Sequence, residues 1–167
     1  TKTMEFEKKF AEYVGAKYAV SVSSCTAALH LALLAANVGS GDEVITTTLT
    51  FVATTNAIEY AGAKPVLVDI DPHTLNIDPK LIGAAITKKT KALLPVHLYG
   101  QPANMSEILA LAKKYNLILI EDCCQAHGAI YGEKIVPISE TGCFSFYPAK
   151  NLGCFGDGGF IATDNEE

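Results

Sequence analysis

The sequence predicts an α/β fold, a three-layer sandwich in which helices cover both faces of a mostly parallel sheet. Short apolar runs that suit strands alternate with amphipathic or Ala/Leu-rich stretches that suit helices, without repeats, linkers or low-complexity tracts. The run from Leu117 to Ile120 is apolar throughout, which is typical of parallel strands covered on both faces. With 167 residues, 49% of them hydrophobic, the chain is expected to bury one core as a single domain.

The first half begins with an amphipathic helix from about Met4 to Tyr13, which the glycine at position 15 is suited to end. A short apolar strand, Tyr18 to Val22, leads through two serines into an Ala/Leu-rich helix that ends near Ala36. The alternation continues with strands at Val44 to Thr47 and Pro65 to Val68, and with helices at Phe51 to Tyr60 and Pro79 to Ile86.

The second half opens with a strand from Ala92 to Val96, and the best-marked helix follows it. Asn104 and Glu107 resemble a capping box, and two lysines near the end of this helix suit the negative end of its dipole. One apolar face supports the helix, formed by Ile108, Leu111, Ala112 and Tyr115. The strand Leu117 to Ile120 comes next, and a short run from Cys143 to Phe146 precedes a glycine-rich stretch.

The composition limits the class of partner and the compartment. A formal net charge of −5 argues against nucleic acid or an anionic membrane as a main partner. All 13 positive residues are lysine, so a bound carboxylate or phosphate would be held without the bidentate fork of arginine. The sequence contains no signal peptide and no apolar run of membrane-spanning length, and a cytoplasmic location is expected.

The cysteines and histidines do not predict a metal site. The 5 cysteines are an odd number without C-x-x-C spacing, and they are expected to be reduced thiols, mostly buried. A zinc site at the adjacent Cys123 and Cys124 is the alternative, but zinc sites rarely use adjacent cysteines without a second cluster. The histidines lack metal-ligand spacing and are expected to be packing residues: His30, His73, His97 and His127.

Polar residues follow several of the predicted strands, at the edge of a parallel sheet where ligands bind. Asp122 ends a fully apolar strand, where a carboxylate is costly without a cationic or hydrogen-bonding partner. Lys150 lies in the segment FSFYPAKN, and lysines are rarely buried without a partner or a chemical task. A lysine amine that condenses with an aldehyde, opposite an aspartate that keeps a pyridine nitrogen protonated, is what pyridoxal-phosphate chemistry requires. A solvated strand-end residue is the alternative for Asp122, and Glu121 is expected to point to the other face.

Other residues on this edge suit the remaining parts of such a cofactor. The N–H groups and hydroxyls at Ser24, Cys25 and Thr26 could bind a phosphate at a helix start, although plain N-capping by a serine is the alternative. Ser145 could offer a second hydroxyl, Gln125 could donate to a phenolic oxygen, and Phe51 could stack on the ring. Each of these also has an ordinary structural interpretation. A nicotinamide enzyme is disfavoured because G-x-G-x-x-G is missing after the first strand.

Four motifs in order resemble the DegT/DnrJ/EryC/StrS family of fold-type-I pyridoxal-phosphate sugar aminotransferases: SSCTAALHLAL, TFVATTNAI, EDCCQAHGA and FSFYPAKNLGCFGDGG. The resemblance covers essentially the whole chain. It implies Lys150 as the catalytic Schiff-base lysine and Asp122 on the pyridine nitrogen. The other cofactor-binding positions it implies are Cys25, Thr26, Phe51, Gln125 and Ser145. Cysteine at position 25, where the family usually has glycine, and Ala149 are departures from the pattern.

The resemblance implies that residues 1–167 are most of the large cofactor-binding domain, and that the small C-terminal domain and the usual leading segment are absent. It implies amino transfer from an amino acid, with glutamate expected, to a nucleotide-linked keto-sugar, in a homodimer. Residues that grip the donor's carboxylates would then come from sequence outside this chain. A non-catalytic cofactor-binding or regulatory module, and another fold-type-I enzyme such as a desulfurase or lyase, are the alternatives. The sequence does not identify the sugar, the aminated carbon or the nucleotide.

Overall fold

Helices and strands alternate in the computed structural model, which describes residues 1–166. The helices are α1 (Lys2–Val14), α2 (Cys25–Ala35), α3 (Ala53–Tyr60), α4 (Pro79–Ala85) and α5 (Met105–Tyr115). The strands are β1 (Tyr18–Val22), β2 (Glu43–Thr47), β3 (Lys64–Val68), β4 (Thr90–Leu94), β5 (Ile118–Asp122), β6 (Ile130–Tyr131), β7 (Lys134–Ile135), β8 (Thr141–Ser145) and β9 (Gly159–Thr163). A 3₁₀ turn spans Leu98–Gly100.

Seven of the strands form one sheet in the order β1-β9-β8-β5-β4-β2-β3, and β6 pairs with β7 in a small hairpin. The pairs β2–β3, β2–β4, β4–β5 and β5–β8 are parallel, whereas β9 runs antiparallel between β1 and β8. The prediction of a mostly parallel sheet is therefore confirmed. The parallel strands end at a common edge, which brings the residues after β2, β5 and β8 together.

Neighbouring residues of the central strands pack into different cores, as strand geometry requires. Val44 of β2 belongs to the core formed with α2 and α3, which contributes Leu29, Leu33 and Ile58. Ile45, the next residue, belongs to a second core, against α4 and α5. A third core packs α1 against β8 and β9 through a cluster of aromatic rings, Phe10, Phe144, Phe146 and Phe160. Helices on both faces make the fold the predicted three-layer sandwich.

Three local predictions were wrong in detail. Helix α3 begins at Ala53 rather than Phe51, because Phe51 lies in a turn in which its carbonyl accepts a hydrogen bond from the Thr54 N–H. Strand β4 ends at Leu94, before Pro95, which has no N–H to donate to a neighbouring strand. Asn104 makes no capping bond to the backbone of α5, because its Oδ1 accepts from the Tyr131 hydroxyl instead, at 3.2 Å, while its Nδ2 donates to the Glu107 carboxylate at 2.6 Å.

None of the helices in the described part of the chain is long and apolar enough to cross a bilayer.

Glu121 and His97 are fully buried and hydrogen-bonded to each other, with 2.7 Å between the carboxylate oxygen and Nε2. Glu121 also accepts from the N–H groups of Ile138 and Ser139, and His97 Nδ1 accepts from the Ala103 N–H. Burial opposes ionisation most strongly, but the hydrogen bond and charge of His97 together with the Ser139 and Ile138 hydrogen bonds outweigh it and lower the pKa of Glu121. Both residues are structural, as predicted.

Candidate functional site

A cavity of about 490 Å³ opens at the carboxyl edge of the sheet. Its walls come from the N-terminus of α2, the turn before α3, the end of β5 and the segment after β8. All the residues that the sequence predicts for a cofactor site line this one cavity: Cys25, Thr26, Phe51, Asp122, Gln125, Ser145 and Lys150. The fold therefore brings them together, while their individual roles remain predictions.

Asp122, the last residue of β5, is the most deeply placed charge in the cavity, with 4% of its surface exposed. Its Oδ2 accepts a hydrogen bond from Thr54 Oγ1 at 2.8 Å, and its Oδ1 accepts from the Cys124 N–H at 3.1 Å. Burial raises the pKa of Asp122, although these two hydrogen bonds and the charges of His97 and Lys150 act in the opposite direction. The protein alone does not fully compensate this carboxylate, so a cationic group in the cavity would stabilise it.

We expect Asp122→Asn to stabilise the ligand-free protein at pH 7 by about 1–2 kcal/mol, because the amide avoids the cost of burying a charge. Between pH 3.8 and the raised pKa, the unfolded chain has released a proton that the folded chain keeps. The contribution of Asp122 to the wild-type stability should therefore fall as the pH rises through this window, and the variant should lack that contribution. Urea unfolding from pH 4 to 8 measures the stability difference between the two proteins and its dependence on pH. The control is Glu133→Gln, which removes an exposed carboxylate. Parallel pH profiles for wild type and Asp122→Asn would contradict the expectation.

The start of α2 forms the opposite wall of the cavity. Ser24 is the N-cap residue, and its hydroxyl accepts a hydrogen bond from the Ala27 N–H at 3.2 Å. The N-capping interpretation of this serine is therefore confirmed. The N–H groups of Cys25 and Thr26 belong to the first turn, where a helix offers no internal acceptor, so they can bind an anion.

The glycine-rich stretch contributes Asp157 to the lining of the cavity, and its Gly159 supports the wall formed by α2. A Cβ atom at Gly159 would lie 2.1 Å from the carbonyl carbon of Ser24 and 2.5 Å from the nitrogen of Cys25. Gly159 also pairs with Val22 and with Ser145 in the sheet. The backbone of β9 thus reaches the first peptide of α2 only because position 159 has no side chain.

Lys150 lies in the segment between β8 and β9 and is half-buried. Its positive charge acts on Asp122 and His127. The next residue, Asn151, anchors the segment: its Oδ1 lies 2.8 Å from His127 Nδ1, and its Nδ2 donates to the His127 carbonyl at 3.2 Å. The His127 ring packs on Phe144 and Phe146, as predicted for a packing histidine, and burial lowers the pKa of His127. His127 therefore also restrains the backbone beside the lysine, a function that the sequence did not indicate.

Three further side chains complete the cavity. Gln125 accepts a hydrogen bond from the Tyr99 N–H at 2.8 Å through Oε1, which orients its amide. Ser145 is buried at the end of β8, and its hydroxyl accepts from the Tyr147 N–H at 3.3 Å. Phe51 is 69% exposed, so it is a wall of the cavity rather than a core residue.

Sequence reasoning missed Thr54 and Cys124, which also line the cavity. Thr54 is fully buried in α3 and donates to Asp122 while sharing a hydrogen bond with Thr50, 2.8 Å between the hydroxyl oxygens. In the sequence, Thr54 is marked only by its hydroxyl group and by its position one turn into the helix predicted from Phe51 to Tyr60. Cys124 lies at the cavity because it follows Asp122 by two residues and its N–H donates a hydrogen bond to the Asp122 carboxylate.

The prediction that the cysteines are reduced thiols was wrong for two of them. Cys25 and Cys124 form a disulfide across 99 residues of sequence, with their Cα atoms 6.8 Å apart. The fold causes this, because the end of β5 and the start of α2 meet at the cavity. Cys123, Cys143 and Cys154 are free, and Cys154 is exposed. Burial raises the pKa of the Cys123 and Cys143 thiols well above the ordinary value, which makes them unreactive.

Comparisons with known proteins agree with this geometry. The family model described as the DegT/DnrJ/EryC1/StrS aminotransferase family matches residues 1–167. A pleiotropic regulatory protein of Geobacillus stearothermophilus is 52% identical over 98% of the chain, and UDP-2-acetamido-2-deoxy-3-oxo-D-glucuronate aminotransferase of Pseudomonas aeruginosa is 51% identical over 98%. The structure of NtdA from Bacillus subtilis with bound cofactor PMP superimposes with a TM-score of 0.93 at 42% identity, over 99% of this chain and 38% of that one. The chain spans 44% and 46% of the lengths of the two curated relatives.

Proposed function

The chain belongs to the DegT/DnrJ/EryC1/StrS aminotransferase family, and we propose that it is the cofactor-binding part of a pyridoxal-phosphate-dependent sugar aminotransferase. The observation that carries the proposal is the cavity in which the only partly compensated Asp122 carboxylate, an anion-binding helix start and the Lys150 amine converge. These groups fit the three reactive parts of the cofactor: a basic ring nitrogen, a phosphate and an aldehyde.

The residues can be assigned to the parts of the cofactor. When bound, pyridoxal phosphate supplies an aldehyde for imine chemistry and a ring that accepts electrons from a substrate carbon. The Asp122 carboxylate would hold a proton on the ring nitrogen, and Thr54 would orient that carboxylate through its 2.8 Å hydrogen bond. The phosphate would be bound by the Cys25 and Thr26 N–H groups together with the Thr26 and Ser145 hydroxyls.

The remaining assignments concern the ring and the moving proton. Phe51 would cover one face of the ring, and Gln125 would donate to its phenolic oxygen with the amide NH₂, because Tyr99 already occupies Oε1. Lys150 Nζ would attack the aldehyde and afterwards carry the proton between the substrate carbon and the cofactor carbon. A lysine at this position suits amino transfer, since dehydratases of this family carry histidine there.

The substrates are assigned by class. We take the acceptor to be a nucleotide-linked keto-sugar, because a relative with 51% identity is named for a UDP-linked 3-oxo sugar acid. Glutamate is the proposed amino donor.

We place the enzyme in the cytoplasm, and a homodimer is proposed in which a second copy covers exposed aromatic side chains at the cavity, Phe51 and Tyr147. A purely monomeric species in sedimentation velocity would contradict the dimer.

The function is tested by reconstitution. Pyridoxal phosphate added to the purified protein should produce the visible absorbance of a lysine-bound cofactor, and borohydride should fix the cofactor on the peptide that contains Lys150. Glutamate should then bleach this absorbance as the amino group moves to the cofactor. The absence of any visible band would contradict cofactor binding.

A second candidate function is a cofactor-binding regulator without turnover. One observation favours it: the relative with 52% identity is named a pleiotropic regulatory protein. The same reconstitution separates the two candidates. A band that forms, is trapped on Lys150 and yet responds to no amino acid would support the regulator when the protein tested also contains the donor-binding residues expected outside this chain.

The Asn151 anchor should matter for the reactivity of Lys150. Asn151→Ala removes both bonds to His127, and we expect trapping at Lys150 to slow about 10- to 100-fold, because small displacements of a reacting group have large effects on rate. The free energy of unfolding should change by only about 1 kcal/mol. Asn104→Ala, which removes two exposed hydrogen bonds at the start of α5, is the matched control. Equal trapping rates in both variants would exclude the anchoring function.

A further inference from the structure

The Cys25–Cys124 disulfide lies inside the proposed cofactor site. Cys25 is the first residue of α2, at the anion-binding end, and Cys124 follows Asp122 by two residues, at the carboxylate end. Both cysteines line the cavity. Both sulfur atoms and an Asp122 carboxylate oxygen lie within 4.8 Å of one another. The bridge therefore connects the two ends of the site covalently.

The other cysteines show why this pair is distinct. Cys123 and Cys143 are fully buried in the core and have no partner sulfur, and Cys154 is exposed in the glycine-rich stretch. Cys124 is only partly buried and faces the cavity, so a small thiol or disulfide can reach it from solvent. In a reducing compartment, a protein disulfide is usually transient and redox-sensing rather than structural.

We propose that Cys25 and Cys124 form a redox-reversible clamp that holds the phosphate end and the ring-nitrogen end of the cofactor site at a fixed separation. The identity of the ligand rests on the proposed function, whereas the clamp itself does not. In the oxidised form, the start of α2 and the end of β5 cannot move apart, so a ligand that spans both ends binds a pre-organised site. In the reduced form, only packing holds the two ends together.

The chemistry of the switch is thiol–disulfide exchange with a low-molecular-weight disulfide, such as oxidised glutathione. The thiolate of one cysteine attacks this disulfide, forms a mixed disulfide and releases one small thiol. The thiolate of the second cysteine then attacks the protein sulfur of the mixed disulfide and releases the second small thiol. Two protein thiols are oxidised to one disulfide, one small disulfide is reduced to two thiols, and the two thiol protons pass to the small thiols.

Two predicted effects follow from the position of the bridge. A cross-link that closes a loop of 99 residues restricts the unfolded chain strongly, and oxidation should raise the melting midpoint of the ligand-free protein by roughly 5–10 °C. Oxidation should also tighten pyridoxal-phosphate binding, by about 10-fold, through pre-organisation.

The test compares the protein equilibrated with oxidised glutathione and with dithiothreitol. Alkylation and peptide mass spectrometry identify the linked cysteines, thermal melts give the midpoint without ligand, and absorbance titration with pyridoxal phosphate gives the affinity. Cys124→Ala and Cys25→Ala should each abolish both redox effects, whereas Cys154→Ser should retain them.

The outcomes separate the two proposals. A cross-linked Cys25–Cys124 peptide with a higher midpoint and tighter binding supports the clamp. Free Cys25 and Cys124 after oxidation, or equal midpoints and equal affinities in the two redox forms, overturn it. If neither form produces the visible band, the proposed function fails, and the clamp is then judged on the cross-linked peptide and the melting midpoint, which require no cofactor.

Discussion

Lys150→Ala is expected to abolish covalent attachment of pyridoxal phosphate and to lower amino transfer by about 10⁴-fold or more, as removal of a nucleophile does in other enzymes. The variant should still bind the cofactor non-covalently, because Asp122, the start of α2 and Ser145 remain in place. Lys150 is the one lysine that lines the cavity among the described residues. Its replacement should therefore not be rescued by a neighbouring amine.

Absorbance spectra and borohydride trapping, followed by peptide mapping, measure the effect. The matched control is Lys88→Ala, which removes an exposed lysine and should leave the visible band unchanged. Folding is checked by the melting midpoint, which should move little because Lys150 makes few stabilising contacts. A trapped cofactor that survives in Lys150→Ala, on any other lysine, would contradict the assignment of Lys150 and the function built on it.

Gly159→Ala is expected to destabilise the protein by about 3 kcal/mol or more, the upper range for overpacking, because the added Cβ would overlap backbone atoms rather than a flexible side chain. The nearest atoms, at 2.1 and 2.2 Å, are the carbonyl carbon and oxygen of Ser24. Either β9 or the first turn of α2 must move. The first turn of α2 forms a wall of the cavity, and β9 packs against that turn. Cofactor affinity should therefore fall together with stability.

Urea unfolding and absorbance titration of Gly159→Ala measure the two effects. Gly83→Ala in α4 is the control, since a Cβ atom there meets nothing within 4 Å, and helix propensity should make it neutral or stabilising by up to about 1 kcal/mol. If Gly159→Ala retained wild-type stability and affinity, the contact between β9 and the start of α2 would not be the constraint that the geometry indicates.

Local patterns were sufficient for most elements of the fold. An unbroken apolar run before Asp122 predicted a buried parallel strand, and the sheet confirms it. Errors arose where backbone hydrogen bonding, rather than hydrophobic periodicity, decides the boundary. Phe51 lies in a turn that α3 follows, and Pro95 ends β4. Residue type together with position in the sequence was likewise enough to select seven of the residues that line the cavity, but not Thr54 or Cys124.

By itself the sequence determined the order of the five helices and of strands β1 to β5, and the chemical types at the sheet edge, because periodicity and strand-end chemistry are local properties. Only the tertiary structure decided which distant groups meet. Thr54 and Asp122 are 68 residues apart, His127 and Asn151 are 24 apart, and Cys25 and Cys124 are 99 apart. Such contacts depend on sheet order and helix placement, which arise from packing of the whole chain. The hydrogen bonds, the Cys25–Cys124 bridge and the close approach of Gly159 to the start of α2 therefore follow only from the folded structure.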